Sequence, residues 1–357
     1  MANINLFDTY ILMAIAEEIA PVPSFFRDRY FPTSEEDIFA SNKVLTEYQK
    51  GDRKMAAFVS PRAGDIPMDR EGYEVFEYQP AFIAPSRRLT LDDLNKRGFG
   101  EALYPNADPA KRAAKLQLRD LSDMDKRIVR REEWMAVETM LNNACTMQEY
   151  VDANTTGEQK YVKFFDKSSE HTYTVGASWN STDGKFFEDV KAMCKMLSSR
   201  GLPAVDLILG TDVADALLED EEVVRRLDKN SGIITGAIDA ELTKYPGVAF
   251  MGVLNFGGFK LNLFDVDETY EDDKGVMQSY FPANAAMVTA PGCGHMMYGQ
   301  ITQINYGEVD FTTIAAARVP KFVVDQANDI RKLRLAARPL AAPKNYCPYI
   351  VAKNVID

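Results

Sequence analysis

The chain has 357 residues, of which 46% are apolar and 26% charged, and its formal net charge at pH 7 is -12. This length and apolar fraction allow an ordered protein with two domains, or one domain with long excursions. The acidity argues against nucleic-acid binding as the main activity, because phosphate contacts need lysines and arginines clustered on one face.

The cysteines indicate neither a zinc site nor a disulfide framework. Cys145, Cys194, Cys293 and Cys347 lie far apart and form no Cys-x-x-Cys pair. We expect them to be reduced, mostly buried thiols of a protein made in the cytoplasm.

The first predicted element is an amphipathic helix with apolar residues from Leu6 to Ile19, ending before Pro21. The pattern does not fit a signal peptide or a membrane span. No basic segment precedes it, and Glu17 and Glu18 interrupt the apolar run well before about twenty residues. Such a helix, followed by a proline break, is typical of an arm that packs into a groove.

Residues 64–85 read GDIPMDREGYEVFEYQPAFIAP and predict an extended ribbon. Tyr73, Val75 and Tyr78 alternate with other side chains, and the prolines and Gly72 break any helix. An isolated two-stranded ribbon is marginally stable in water, because it has no partner sheet on which to bury a face. We therefore expect the ribbon to pack against a neighbouring copy of the chain.

A single long helix is predicted from about Pro109 to near Tyr150. More than forty residues pass without a glycine, and Asp108 precedes Pro109 as a helix cap. At 1.5 Å per residue the helix would be about 60 Å long. Its apolar residues recur at steps near three or four, and Trp134 is expected to be buried on this stripe. The predicted core residues of the helix are Leu121, Ile128, Trp134, Val137 and Leu141.

The same helix carries the arginine-rich segment KRIVRREE. Glu132 and Glu133 balance its arginines at helical spacing. The pattern predicts a salt-bridged face of the helix.

From Phe186 onward the pattern predicts a compact α/β domain of roughly 120 residues. KFFEDVKAMCKMLSSRG reads as a helix, AVDLILG as a buried strand, and TDVADALLEDEEVVRRL as a second helix. GVAFMGVLNFGGFKLNLFDV predicts strands and a hairpin, and the stretch from Val319 to Val355 is again rich in strands.

Two short segments are candidates for chemistry, and neither is complete. GCGHMMYGQ places Cys293 two residues from His295, as in a thiolate nucleophile with its base or half a metal site. The simpler interpretation is a glycine-rich loop at a strand end. His171 is expected to be an exposed strand residue. DVDETYEDD begins like a calcium loop but has Tyr270 where glycine belongs, so an acidic hairpin tip is favoured.

The order of segments resembles the major capsid protein family of phage lambda, the protein E family. The resemblance is carried by FFRDRYFPTSEEDIFASNKV, by AAFVSPRAGDIPMDREGYEVFEYQPAFIAPSRRLT, and by DPAKRAAKLQLRDLSDMDKRIVRREEWMAVETM. It is strongest over residues 25–150, and the hairpin ending YFPANAAMVTAPG lies in the expected place.

The resemblance implies an α+β protein with the HK97-type capsid fold. It places an N-arm at 1–50, an E-loop at 51–92, a P-domain at 93–184 with a spine helix at about 109–150, and an A-domain at 185–310. Residues 311–357 would return as strands through the P-domain, with the final strand in the A-domain. The E-loop residues expected at the subunit interface are Ile66, Met68, Tyr73, Val75, Phe76 and Tyr78.

The implied function is a major capsid protein that assembles into the icosahedral head of a tailed phage or prophage, around packaged double-stranded DNA. The alternatives are an encapsulin-like compartment for enzyme cargo and a hydrolase using Cys293 and His295. The expected partners are copies of the chain in pentamers and hexamers, a scaffolding protein, a portal, a decoration protein and weakly bound DNA. The chain is expected in the virion, assembled in the host cytoplasm, with no membrane, cofactor, metal or catalytic residue and no autocatalytic crosslinking.

Overall fold

The computed structural model describes residues 9, 12–13, 24–49, 73–90, 109–152, 155–165, 170–181, 183–234, 245–325 and 330–356. Most of the predicted N-terminal helix and the ribbon residues Ile66 and Met68 lie outside these ranges. Among the described residues, no helix is both long enough and apolar enough to cross a membrane. The helices are α1 (Phe25–Tyr30), α2 (Pro109–Asn142), α3 (Phe186–Ser199), α4 (Thr211–Glu219) and α5 (Glu221–Ile234), with a short 3₁₀ turn at Glu35–Asp37.

The strands fall into several small sheets and one large one. In chain order they are β1 (Val44–Gln49), β2 (Tyr73–Tyr78), β3 (Ser86–Leu89), β4 (Ala144–Asp152), β5 (Thr155–Lys163), β6 (Thr172–Tyr173), β7 (Asp206–Gly210), β8 (Val248–Phe256), β9 (Phe259–Val266), β10 (Thr269–Glu271), β11 (Met277–Ser279), β12 (Ala286–Thr289), β13 (Gly294–Tyr298), β14 (Ile301–Ile304), β15 (Phe311–Ile314), β16 (Val319–Asp325), β17 (Ile330–Ala336), β18 (Pro339–Pro343) and β19 (Ile350–Ala352).

The large sheet has the order β6-β19-β12-β7-β9-β8, and α3, α4 and α5 pack against it. Its inner strands β7, β12 and β19 are buried along their whole length, as expected for strands covered on both faces. All five residues of β7 are buried, including Asp206, which pairs with Asn262 of β9 in parallel register.

Two predicted helices have different ends in the structure. The long helix α2 ends at Asn142 instead of near Tyr150, because Asn143 takes a left-handed conformation with φ 52°. Its backbone N–H still donates to the carbonyl of Thr139, and the chain then enters β4. The predicted second helix of the α/β domain is divided at Asp220, whose carboxylate accepts the backbone N–H of Glu222 and begins α5.

The long helix α2 passes between two apolar cores. Leu121 and Ile128 pack on Phe322 and Leu335 of the sheet β16-β17-β3. Val137 belongs instead to the largest core, which also holds Met140 and Leu141. Residues 128 and 137 are nine positions apart and therefore lie on opposite sides of the helix, at 100° per residue. The predicted single stripe is thus two faces, each covered by a different core.

The aromatic segment 25–31 lies in the largest core, among residues from distant parts of the chain. The side chains of Phe25, Phe26, Tyr30 and Phe31 are all buried in the largest core, together with Tyr349. Gly294 makes room for this segment, because a Cβ at that position would lie 2.3 Å from the Phe31 ring. The segment therefore contacts both the long helix and the strand β13.

Candidate assembly surfaces

The ribbon consists of β1 and β2, paired antiparallel with Val44 opposite Tyr78 and Gln49 opposite Tyr73. Its β1 strand lies within the predicted N-arm, so the described ribbon begins before the predicted E-loop. The described strands are the base of the predicted projection. Ile66 and Met68 lie beyond them, outside the described residues, and the side chains of Tyr73 and Val75 are not described.

The base of the ribbon is fixed to its own subunit. The Tyr78 ring is 9% exposed and lies edge-on to Phe164 at 5.3 Å, and its hydroxyl donates to the Phe164 carbonyl. Phe76 stacks on Tyr78 and is half-buried. Tyr78 anchors the ribbon in its own chain, which differs from the interface role predicted for it. The interface role of Ile66, Met68, Tyr73, Val75 and Phe76 stays a prediction.

Trp134 is only half-buried, contrary to the expectation of full burial. It packs at the margin of the largest core, and the Arg131 guanidinium lies 5.4 Å from its ring centre. Its other neighbours are Tyr270 and Met277 of the β10–β11 hairpin, across a surface pocket of about 560 Å³. The residues that line this pocket come from α2 and the β10–β11 hairpin, and β4 and β5 contribute none of them.

A buried network of charges links the long helix to the C-terminal strands. Glu132 is 0% exposed and accepts two hydrogen bonds from Arg318, at 2.7 and 2.9 Å, and one from the Tyr298 hydroxyl. The remaining guanidinium nitrogen of Arg318 donates to Asp125 at 2.7 Å. The sequence predicted that Glu132 balances arginines of the same helix, whereas its partners come from distant segments and enclose it.

The adjacent Glu133 holds the N-terminal segment. Its two carboxylate oxygens accept the backbone N–H groups of Phe26 and Arg27, each at 2.7 Å. Burial raises the pKa of Glu133 to about 8, although these two N–H donors lower it; the nearby Glu268 and Asp28 carboxylates raise it further. Burial likewise raises the pKa of Glu268 to about 7, against the Arg130 charge.

The same segment is bound on its other side by the large sheet. The carboxylate of Asp206 on β7 accepts the Arg29 guanidinium at 2.7 and 3.0 Å and the Tyr30 hydroxyl at 3.0 Å. The side-chain amide of Asn262 on β9 donates a further hydrogen bond to the same carboxylate. Residues 24–31, which we call the joint segment, thus connect α2 with the large sheet through buried carboxylates on both sides.

The candidate catalytic groups occupy structural positions. Cys293 is buried, which raises the pKa of its thiol to about 12, so a thiolate nucleophile is disfavoured at neutral pH. His295 lies on β13, with its Nδ1 3.4 Å from Asp37. Among the described residues, no three His, Cys, Asp or Glu side chains are grouped closely enough to hold a metal ion.

His171 and the acidic loop are also structural. His171 is 3% exposed, contrary to the prediction, because it enters β6 at the margin of the large sheet; its Nε2 lies 3.3 Å from the Leu141 carbonyl oxygen. The acidic segment forms the β10–β11 hairpin, where Asp272 accepts the backbone N–H groups of Lys274 and Val276 and so closes the turn.

Two hairpins expose large apolar side chains that the sequence pattern did not single out. In the β14–β15 hairpin, Val309 is 90% and Phe311 77% exposed. In the β4–β5 hairpin, Val151 is 72% and Tyr161 64% exposed. In the sequence, apolar residues beside a turn, as in YGEVDF, could have indicated these exposed side chains. Where such side chains lie together in one patch, they indicate a contact surface with another protein.

The projecting ribbon, the long helix and the α/β sheet together define a capsid shell protein with the HK97-type fold. A crystal structure described as a capsid protein of an Escherichia coli CFT073 prophage aligns over 98% of this chain and 99% of its own, with a TM-score of 0.63 and 16% identity. A phage-related protein from Bordetella bronchiseptica aligns over 98% of this chain and 97% of its own, with a TM-score of 0.52 and 11% identity.

The chain belongs to the phage major capsid protein E family, whose model matches residues 8–354. It is 23% identical over 330 residues to the P21 prophage-derived major head protein of Escherichia coli, covering 89% of this chain and 90% of the relative. It is 23% identical over 320 residues to the major capsid protein of Escherichia phage lambda, covering 87% and 86%. The predicted family, fold and function as a phage or prophage head-shell protein are confirmed, and no finding favours the encapsulin-like alternative.

Proposed function

We propose that copies of this chain assemble as pentamers and hexamers into an icosahedral shell around double-stranded DNA, with the E-loop packed on a neighbouring subunit. The observation that carries the E-loop contact is the ribbon base. Tyr78 anchors it in its own core, and the described strands β1 and β2 form a sheet of only two strands. A ribbon of two strands is marginally stable unless another surface covers it. Identical copies in a closed shell can cover each projection by symmetry.

The domain limits predicted from the resemblance are part of this proposal, with the E-loop extended to include β1. The proposal also includes a scaffolding protein, a portal and a decoration protein as partners. It further includes assembly in the host cytoplasm and the lack of enzymatic activity, cofactors and metals. The burial of Cys293 supports a structural role over hydrolysis, because its thiol is protonated at neutral pH.

Electron microscopy of the purified full chain tests the shell directly, and analysis of the contents of the particles distinguishes DNA from enzyme cargo. Deletion of residues 64–72 tests the E-loop, since it removes the outer part of the ribbon but keeps Tyr78 and the paired strands. We expect a folded, soluble chain that forms no closed shells. Circular dichroism and thermal unfolding serve as the folding control. Normal particles from this deletion would contradict the E-loop contact.

A further inference from the structure

The solvent face of the long helix has an unusual distribution of charge. In the part of α2 whose side chains are described, residues 116–142, the exposed residues are Leu118, Arg119, Lys126, Arg127, Arg130 and Asn142. Every exposed charged residue there is basic, although the whole chain has a net charge of -12. This segregation requires an explanation beyond solubility, because residues 116–142 contain six acidic and five basic residues.

Most acidic residues in this part of the helix are paired with other segments, and Glu138 is half-buried. Asp120 and Asp123 receive the Arg87 guanidinium, and Asp125 receives Arg318. Glu132 and Glu133 are buried as described above. The paired acids therefore do not offset the outward-facing basic side chains.

The basic residues form a continuous stripe. Arg119, Lys126 and Arg130 are separated by seven and four positions, so they share one face of the helix, and Arg127 lies beside them. From Arg119 to Arg130 the stripe extends about 16 Å. Within the described part of the chain, none of these four residues has an ion-pair partner within 4 Å, although the Arg130 charge acts on the nearby Glu268 carboxyl group. We call these four residues the basic stripe.

We propose that the basic stripe is the surface through which the shell contacts the phosphate backbone of the DNA inside it, and that this face of α2 points into the shell. The inference rests on the proposed function, since it requires a shell that holds DNA. Duplex DNA carries one charge per about 1.7 Å of its axis, so about 16 Å of helix faces roughly nine phosphates. Nothing in the stripe reads bases, so the contact is independent of sequence.

The contact is expected to be weak for a single subunit. The stripe has only four charges, and the acidic hairpin residues Glu271, Asp272 and Asp273 flank its C-terminal end, where Asp273 already pairs with Arg131. Many copies in a shell would multiply the contact, whereas one chain would bind with a strong dependence on salt.

The first test measures binding of a 20-base-pair duplex to the purified full chain between low and physiological salt by fluorescence anisotropy. Four phosphate contacts predict a slope of log affinity against log salt of about -3.6, and the variant R119Q/K126Q/R127Q/R130Q should have a slope near zero. The matched control K195Q/R225Q/K260Q/K274Q removes four exposed positive charges elsewhere and should keep the slope. An equal slope in the stripe variant and the wild type would overturn the proposal.

The second test locates the face in the assembled particle. All four native cysteines are buried, so a cysteine introduced as Lys126→Cys gives one reactive thiol. A maleimide on a polymer too large to enter the shell should label the dissociated chain but not intact particles. Labelling of intact particles would place the stripe outside and refute the proposal.

The two proposals can fail separately. If the wild-type chain forms no shells, the proposed function fails. If it forms shells, and the stripe variant binds the duplex like the wild type but no longer assembles, the stripe is a contact with protein and the DNA proposal is wrong.

Discussion

Glu132 and Glu133 are neighbours in the chain, yet their carboxylates hold different parts of the molecule, because consecutive helical residues point 100° apart. Glu132 binds Arg318 and Tyr298, while Glu133 binds the backbone of the joint segment. Their burial makes both carboxylates sensitive to any change that removes a partner or alters ionisation.

The raised pKa of Glu133 predicts that stability falls with rising pH. The folded chain retains this proton up to about pH 8, whereas an unfolded glutamate releases it near 4.5, so the unfolded state binds fewer protons between these values. Stability from this group is therefore full below about pH 4.5 and lost as pH rises to about 8, and Glu268 acts in the same direction.

The substitution Glu133→Gln should reduce the change in the free energy of unfolding between pH 5 and 8 by about 1–3 kcal/mol. Urea unfolding of the full chain at several pH values measures it. The exposed Glu188→Gln is the control and should keep the wild-type slope. An unchanged slope in Glu133→Gln would contradict the assignment.

Arg318→Met should be strongly destabilising, because it leaves the buried Glu132 carboxylate with only Arg27, at 3.4 Å, and Tyr298. The expected loss in the free energy of unfolding is about 3–5 kcal/mol. The exposed pair between Lys43 and Glu77 provides the comparison, since Lys43→Met should cost less than about 1 kcal/mol. Similar losses in the two variants would show that Arg318 is not needed to compensate the buried charge.

The sequence indicated the composition of these sites but not their arrangement. It identified Glu132 and Glu133 as charge partners at helical spacing, but Arg318 lies 186 positions from Glu132. Periodicity within one helix cannot reveal a partner from another segment. For the same reason His171 was expected on the surface, since its burial depends on the Tyr349 ring and the Leu141 carbonyl.

At the scale of elements, the helix α3, the strand β7 and the β8–β9 hairpin were predictable, because each has an uninterrupted helical or strand pattern between turn residues. The end of α2 was not predictable, because the residues after Asn143 include no glycine or proline that would stop a helix. Their pairing with β5 and the left-handed Asn143 decide the boundary. The two faces of α2 were merged for a similar reason, since apolar spacing alone does not tell which core covers each face.

The two faces of α2 predict an order of mutational effects. Ile128 is 0% exposed, so Ile128→Ala should cost about 2–5 kcal/mol. Trp134 is half-buried beside a surface pocket, so Trp134→Ala should cost less, despite removing the larger side chain. Urea unfolding of both variants tests the order. A larger loss for Trp134→Ala would mean that the tryptophan is enclosed as the sequence suggested.

At the scale of the whole molecule, the joint segment connects the long helix with the large sheet inside the largest core. Phe25 lies 5.0 Å from Phe264 of the large sheet, while Glu133 of the long helix binds the same segment. Fold and family were predictable at this scale because the order of segments matched a known shell protein, even though individual contacts were not. The order of segments does not reveal the contacts of the joint segment.

Loss of the Arg29 side chain should weaken the coupling between the long helix and the large sheet. Arg29→Met leaves Asp206 buried with the Tyr30 hydroxyl and Asn262 amide as donors. We expect faster hydrogen exchange in both α1 and β7, measured by mass spectrometry on the full chain. The control Arg226→Met removes a half-exposed pair within α5 and should leave both regions unchanged. Faster exchange in α1 alone would show that the coupling to the sheet does not depend on Arg29.

The packing of the joint segment also sets the order in which the core of the subunit can close. Phe26 stacks on Phe281, and the Phe31 ring packs against Gly294. These partners are synthesised roughly 250 residues after the joint segment. Until then the aromatic side chains of residues 25–31 lack the surroundings that bury them in the folded subunit. The joint segment therefore cannot act as an early folding unit on its own.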